Sequence, residues 1–284
     1  MNFTTIAGAL LLMGLTGVFL GVLIALFARF FKTPADPRVE QVTELLPGAN
    51  CGGCGQAGCA DFAKSVVAGT NPPSRCPVSS AEQINAIAIA LGISAEAGVR
   101  KRAVVRCGGD TLQTSHPIHY NGVADCAAAA LVAGGPKGCR FGCLGLGSCV
   151  HVCPFGAIEI VNGLALVHRE LCVGCGKCAE VCPRGVIALV NADAEIHVYC
   201  NSPEKAPEKR KVCKVSCIGC RKCAKYAPER FTVTGFLASV NYESTSLPDE
   251  EDVQKIQCPT GALLSAAEHH LIEHTVPAWE KKEK

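Results

Sequence analysis

Cys172, Cys175, Cys178 and Cys182 are separated by two, two and three residues, and Pro183 follows the last of them. No other feature limits this chain's fold as tightly. Three thiolates at this spacing curl the backbone around one iron–sulfur cubane, and the fourth serves a neighbouring one. The proline stops a helix from continuing and sets the exit direction. Zinc sites instead favour ligand pairs with a longer gap between them. A companion run lies upstream, Cys139, Cys143, Cys149 and Cys153-Pro154, with looser spacing. Crossed ligation then predicts two adjacent sites. Cys139, Cys143, Cys149 and Cys182 hold one; Cys153, Cys172, Cys175 and Cys178 hold the other.

A third run is incomplete. Cys217, Cys220 and Cys223 are followed by Ala227-Pro228 where a fourth cysteine is expected, and Cys258-Pro259 stands alone downstream. The losses are complementary: Cys217, Cys220, Cys223 and Cys258 still make one complete set. A fourth set, Cys51, Cys54, Cys59 and Cys76, lies among Gly48, Gly52, Gly53, Gly55 and Gly58, which permit tight turns close to a cluster. Spacing alone also admits zinc there. Cys107, Cys126, Cys200 and Cys213 remain and read as structural thiols, with room for a fifth cluster. Offsets repeat between Cys139, Cys143, Cys149 and Cys213, Cys217, Cys223, and Ala103–Cys107 resembles Ile196–Cys200. The repeat leaves open whether Cys213 replaces Cys220 as a ligand. The expected cofactors are four 4Fe-4S clusters, or five.

Twenty cysteines among 284 residues would suggest disulfides in a short secreted chain. This chain is too long and too internally patterned for that. Its first charged side chain is Arg29, and Ile6 to Phe31 is apolar or small, long enough to span a bilayer. Residues 1–5 carry no Lys or Arg, unlike a signal peptide. Arg29, Lys32 and Arg38 follow the span, so the positive-inside rule places the C-terminal part in the cytoplasm. Gly17 and Gly21 form a small-xxx-small pair that would admit a second membrane helix. With 27 basic and 25 acidic residues, bulk charge disfavours nucleic acid.

The expected fold class is α+β: one N-terminal transmembrane helix, a small helical four-cysteine iron–sulfur domain, and tandem ferredoxin-like domains. The expected boundaries are 1–32 for the anchor, 33–100 for the N-terminal cluster domain and 101–135 for a strand–helix connecting segment. A two-cluster ferredoxin-like domain follows at 136–198, a degenerate one-cluster domain at 199–268 and a tail at 269–284. Thr33 to Pro37 reads as a linker and Ala81–Leu91 as a packed helix. Asp125 reads as the N-cap of a short helix over Cys126–Ala133 that ends at Gly134. His269, His270 and His274 read as surface residues of a C-terminal helix. No nucleotide-binding glycine motif sits between a strand and a helix, so the chain itself is not expected to bind NAD or flavin.

The order of these motifs carries a resemblance. An apolar anchor precedes Pro47–Gly55 (PGANCGGCG), Gly134–Cys139 (GGPKGC), Gly142–Cys149, Cys153–Ile158 (CPFGAI) and then Cys217–Cys223. The chain resembles the B subunit of Rnf-type ion-translocating oxidoreductase complexes over nearly its whole length. Its N-terminal four-cysteine unit is also similar to iron–sulfur domains of corrinoid-linked proteins. Ser216 where a glycine is usual, and Val78-Ser79 after Cys76-Pro77, depart from the family pattern. The resemblance implies a protein of the bacterial or archaeal inner membrane, facing the cytoplasm. It would pass electrons from reduced ferredoxin toward flavin- and NAD-binding partner subunits, coupled to Na⁺ or H⁺ transport. It also implies a second role, keeping a redox-sensing transcription factor reduced. Lys209, Arg210, Lys211, Arg221 and Lys222 crowd the third cysteine run and could steer an acidic ferredoxin. The competing class is a zinc scaffold. A long series of clusters argues for transfer over sensing, since one labile cluster suffices to sense.

Overall fold

The computed structural model describes residues 3–30, 36–94 and 98–271. Phe31, Lys32, residues 33–35 of the expected linker, His274 and the tail lie outside the described residues. Helix α1 (Phe3–Phe30) contains a stretch, Leu10–Phe27, of mean hydropathy 2.6. At 1.5 Å per residue it is about 42 Å long, more than the roughly 30 Å hydrocarbon core of a bilayer. Its length and composition suffice to cross a membrane.

The next unit is three short helices. Asp36 caps α2 (Pro37–Leu45) by accepting from Arg38 N at 3.0 Å. Gly58 precedes α3 (Cys59–Val67). Helix α4 (Ala81–Leu91) opens on a Ser80/Gln83 capping box and closes at Gly92, φ +64°. Val42, Phe62, Ala63, Val66 and Ile87 form its small core, and Cys54 and Cys76 belong to that core.

A ferredoxin-like unit follows, with β1 (Lys101–Val105), α5 (Cys126–Leu131), α6 (Ser148–His151), β2 (Ile158–Val161), β3 (Leu164–Val167), α7 (Lys177–Glu180) and β4 (Ile187–Asn191). Strands β1 and β4 pair antiparallel, Val105 opposite Ile187. Strands β2 and β3 form a hairpin closed by Asn162-Gly163, both at positive φ, the geometry that matches strand twist. The strand of the expected connecting segment 101–135, β1, finds its partner in β4 some 80 residues on.

The same order recurs: β5 (Ile196–Val198), α8 (Ala206–Val212), α9 (Lys222–Tyr226), β6 (Phe231–Thr234), β7 (Leu237–Val240), α10 (Glu250–Ile256) and β8 (Leu263–Ser265). Here β5 pairs with β8 and β6 with β7. Where a second cysteine triad is missing, α10 stands instead, capped by Asp249 and tied down by an Arg230–Asp252 ion pair at 2.5 Å. Ala227, Val253 and Ile256 join the apolar core around Phe231, so hydrocarbon fills the side of the unit that lost its ligands.

The two ferredoxin-like units dock through the segments that follow their first strands. Gly108 N donates to Tyr199 O at 3.0 Å, Ser115 N to Val212 O and Lys214 N to Gln113 O, both at 2.9 Å. Helix α11 (Ala266–Leu271) closes the seam. His269, expected at the surface, is 4% exposed. Its ring stacks on Tyr199 at 3.7 Å, and Nε2 lies 3.3 Å from Cys107 O. The chain turns back over the unit junction after β8, which a helical-periodicity argument cannot foresee. The side chain of His270 lies outside what is described.

Candidate iron–sulfur centres

Among the described residues, no three His, Cys, Asp or Glu side chains are grouped as a single metal ion needs. Sixteen of the twenty cysteines stand instead around four cavities, four to each.

Cys217, Cys220, Cys223 and Cys258 line one cavity of about 410 Å³, with Val198, Ala238 and Ile256 as apolar walls. Cys220 is in its lining and Cys213 is not. Gly219, at φ +66°, lets the loop pass against the β6–β7 turn: a Cβ there would lie 2.8 Å from Phe236 backbone. The Ala238 N–H donates to Cys217 Sγ at 3.5 Å.

Cys153, Cys172, Cys175 and Cys178 line a second cavity, in the crossed grouping expected. Ala103 N donates to Cys172 Sγ, and Ala157 N to Cys153 Sγ, both at 3.4 Å. Burial, then repulsion from Cys172, Cys175 and Cys153, pushes the Cys178 thiol up to about 12. Thiols that resist ionisation alone become ligands once a cation offsets their charge.

The third cavity departs from the spacing argument. Cys143, Cys149 and Cys182 line it as expected, but its fourth cysteine is Cys126 rather than Cys139. The cause is local. Asp125 caps α5 through Ala128 N at 2.8 Å, and Ser148 Oγ donates to Asp125 Oδ2 at 2.7 Å. Ser148 Oγ also accepts from Cys126 N at 2.7 Å. This clasp fixes the first residue of α5 beside the start of α6, which carries Cys149. The Cys149 thiol, raised to about 12, is buried and repelled in turn by Cys143, Cys126, Cys178 and Cys182. Three of those share its cavity, and Cys178 belongs to the next one.

The N-terminal four are placed by α2, α3 and the glycine loop. Cys51, Cys54 and Cys76 are buried and Cys59 half-buried. Asn50, at φ +45°, accepts from Cys59 N at 2.8 Å, and Arg75 Nε donates to Cys54 O at 3.1 Å. Gly53 sits against the next unit: a Cβ there would lie 2.9 Å from Cys175 O.

These sites fit the cofactor that their donor sets imply: each offers four soft thiolates, and backbone N–H groups aim at sulfur in the sets of Cys172 and Cys217. Of the basic residues expected around the third run, Arg210, Lys211, Arg221 and Lys222 are exposed. Lys209 is not. It is 1% exposed, and its ammonium donates to Cys217 O at 2.8 Å and Phe236 O at 2.7 Å. Helix α8 turns Lys209 inward, so it leaves the basic rim. Cys220 is the one exposed cysteine of the twenty, all of which lie among the described residues.

Known proteins share these cysteine segments. A family model for an Fe-S cluster segment matches residues 46–78, and one for a 4Fe-4S dicluster domain matches residues 139–187. The second match begins at Cys139 and leaves Cys126 outside. The chain is 40% identical over 262 residues to the B subunit of the proton-translocating ferredoxin:NAD(+) oxidoreductase complex of Clostridium ljungdahlii, covering 91% of this chain and 92% of that one. It is 38% identical over 229 residues to the B subunit of an ion-translocating oxidoreductase complex of Methanosarcina acetivorans, covering 80% and 87%. It is 42% identical over 160 residues to the B subunit of the Na(+)-translocating ferredoxin:NAD(+) oxidoreductase complex of Acetobacterium woodii, covering 56% and 48%. The chain therefore belongs to the B-subunit family of Rnf-type ion-translocating oxidoreductase complexes, electron-transfer proteins built on 4Fe-4S clusters.

Proposed function

We propose that this chain receives electrons from reduced ferredoxin at its C-terminal ferredoxin-like unit and hands them, through its N-terminal unit, to flavin- and NAD-binding partner subunits. The observation that carries this reading is the exposure of Cys220 next to exposed Arg221 and Lys222, far along the chain from α1. Clusters, when bound, supply one-electron transfer without proton or bond changes. The protein's part is to hold them in series, keep water off all but one, and present a basic rim to an acidic donor. Helix α1 would anchor the chain in the inner membrane with residues 36–271 on the cytoplasmic side. Relatives are named for protons in one case and Na⁺ in another, and either ion would be moved by the membrane subunits.

The test is anaerobic reduction of the full chain by enzymatically reduced ferredoxin, followed by bleaching of iron–sulfur absorbance, with NADH as control donor. The double variant Arg221→Glu/Lys222→Glu is expected to slow bleaching at low salt by about tenfold or more, the range of electrostatic steering. The difference should shrink near 1 M salt, where screening acts within about 3 Å. Equal rates for parent and variant at low salt would remove this docking face.

A further inference from the structure

Four cysteines are left outside the four sets above: Cys107, Cys139, Cys200 and Cys213. All four line one cavity at the seam between the ferredoxin-like units. We propose that these residues hold a fifth 4Fe-4S cluster, one that bridges the two ferredoxin-like units and completes the electron path between them. The proposal rests on the relay reading above and names the ligands of one further station.

Each unit gives two thiols in the same way. Cys107 follows β1 and Cys200 follows β5; Cys139 and Cys213 sit four residues before Cys143 and Cys217. The site is thus built across the internal repeat, half from each copy. The four sulfurs are near one another. Cβ atoms placed at Gly109 and Gly142 would lie 3.4 Å from Cys213 Sγ and 3.5 Å from Cys107 Sγ respectively, and the second also 3.4 Å from Cys139 Sγ. The Cys213 thiol, pushed up to about 12 by burial, is further raised by Cys107, Cys139 and Cys200. Backbone N–H groups of Phe141, Gly142, Ser202 and Val215 hydrogen-bond these sulfurs, as at the other sites.

Charge points the same way. Lys137 and Lys209 both line this cavity, 4% and 1% exposed. Lys137 Nζ donates to Gly109 O and Gly163 O at 2.7 Å, and Lys209 Nζ to Cys217 O and Phe236 O. These partners are neutral carbonyls, and burying two ammonium groups calls for nearby negative charge. A cubane in four thiolates carries net negative charge and supplies it. Position completes the case. Cys143 N donates to Cys107 Sγ at 3.4 Å, and the Cys217 backbone hydrogen-bonds Cys200. The cavity therefore touches the set of Cys143 on one side and the set of Cys217 on the other.

The test is iron, acid-labile sulfide and zinc content of the full chain purified anaerobically in detergent, with EPR of the reduced protein. The parent should carry about twenty iron atoms. Cys107→Ala/Cys139→Ala should lose about four, because both residues serve one cluster. Cys126→Ala/Cys139→Ala should lose about eight, because they serve two. Lys137→Met and Lys209→Met should both make the same EPR-active cluster harder to reduce, because the seam cavity is the one that both lysines line. About sixteen iron in the parent, with or without one zinc, would overturn the fifth cluster and leave the relay reading standing. An iron-free parent would overturn both. Equal losses of four from both double variants would return Cys139 to the set of Cys143 and overturn the assignment.

Discussion

Gly145→Ala is expected to strip iron from the first ferredoxin-like unit. Gly145 has φ +72°, and a Cβ there would overlap the Gly163 carbonyl oxygen in the β2–β3 turn. The left-handed backbone alone costs a non-glycine residue about 1–3 kcal/mol, and forced overpacking adds about 1–3 more. The turn cannot yield freely, because Gly163 O also accepts from Lys137. Gly156→Ala is the control. Its φ is similar, +60°, but nothing lies within 4 Å of the added methyl, so it should cost only the backbone's about 1–3 kcal/mol, without the overpacking. Iron content and the denaturant midpoint of cluster absorbance distinguish the two. Equal behaviour would mean that loop conformation, and not close approach to the hairpin, controls the site.

Lys209→Met is expected to destabilise the C-terminal unit by about 2–4 kcal/mol. Two carbonyls, the buried Cys217 O and the partly buried Phe236 O, lose their donor, and an unpaired buried group costs about 1–3 kcal/mol. Relief of a buried ammonium offsets part of this. Arg210→Met, next along α8 but exposed, should stay within about 0.5 kcal/mol. Urea unfolding followed through cluster absorbance measures both. A neutral Lys209→Met would show that its two carbonyls find other donors.

The contrast between Lys209 and Arg210 shows what the sequence does and does not disclose. A run of lysines reads as one solvated face. Only the helix that carries it decides which member turns inward. Local signals were legible: Ser80, Gln83 and Gly92 bound α4 at the expected residues, and Asp125 starts α5 as expected. The crossed grouping of Cys153 with Cys172, Cys175 and Cys178 was legible too, since it follows from spacing alone. The exchange of Cys139 for Cys126 was not, because the Asp125–Ser148 clasp joins residues over 20 apart. One signal did exist. The repeat equates Cys139 with Cys213, and Cys213 is spare in a set already completed by Cys220 and Cys258. By the same symmetry Cys139 is spare in its own unit. His269 gave no such signal, since its burial depends on docking of the two units.

The central claim is that electrons arrive at the set of Cys217, Cys220, Cys223 and Cys258 and travel from there to the N-terminal unit. Cys258→Ala tests it most directly, because Cys258 lies far in sequence from the other sites. Reduction of the anaerobic full chain by ferredoxin is compared with reduction by dithionite, and the EPR signal of the N-terminal cluster is read in each. The account predicts that dithionite still reduces that cluster in Cys258→Ala. Ferredoxin should reduce it more slowly by on the order of a hundredfold, as expected when a steered encounter becomes unproductive. Reduction by ferredoxin at the parent's rate in Cys258→Ala would contradict it, and would place the donor's dock elsewhere on the chain.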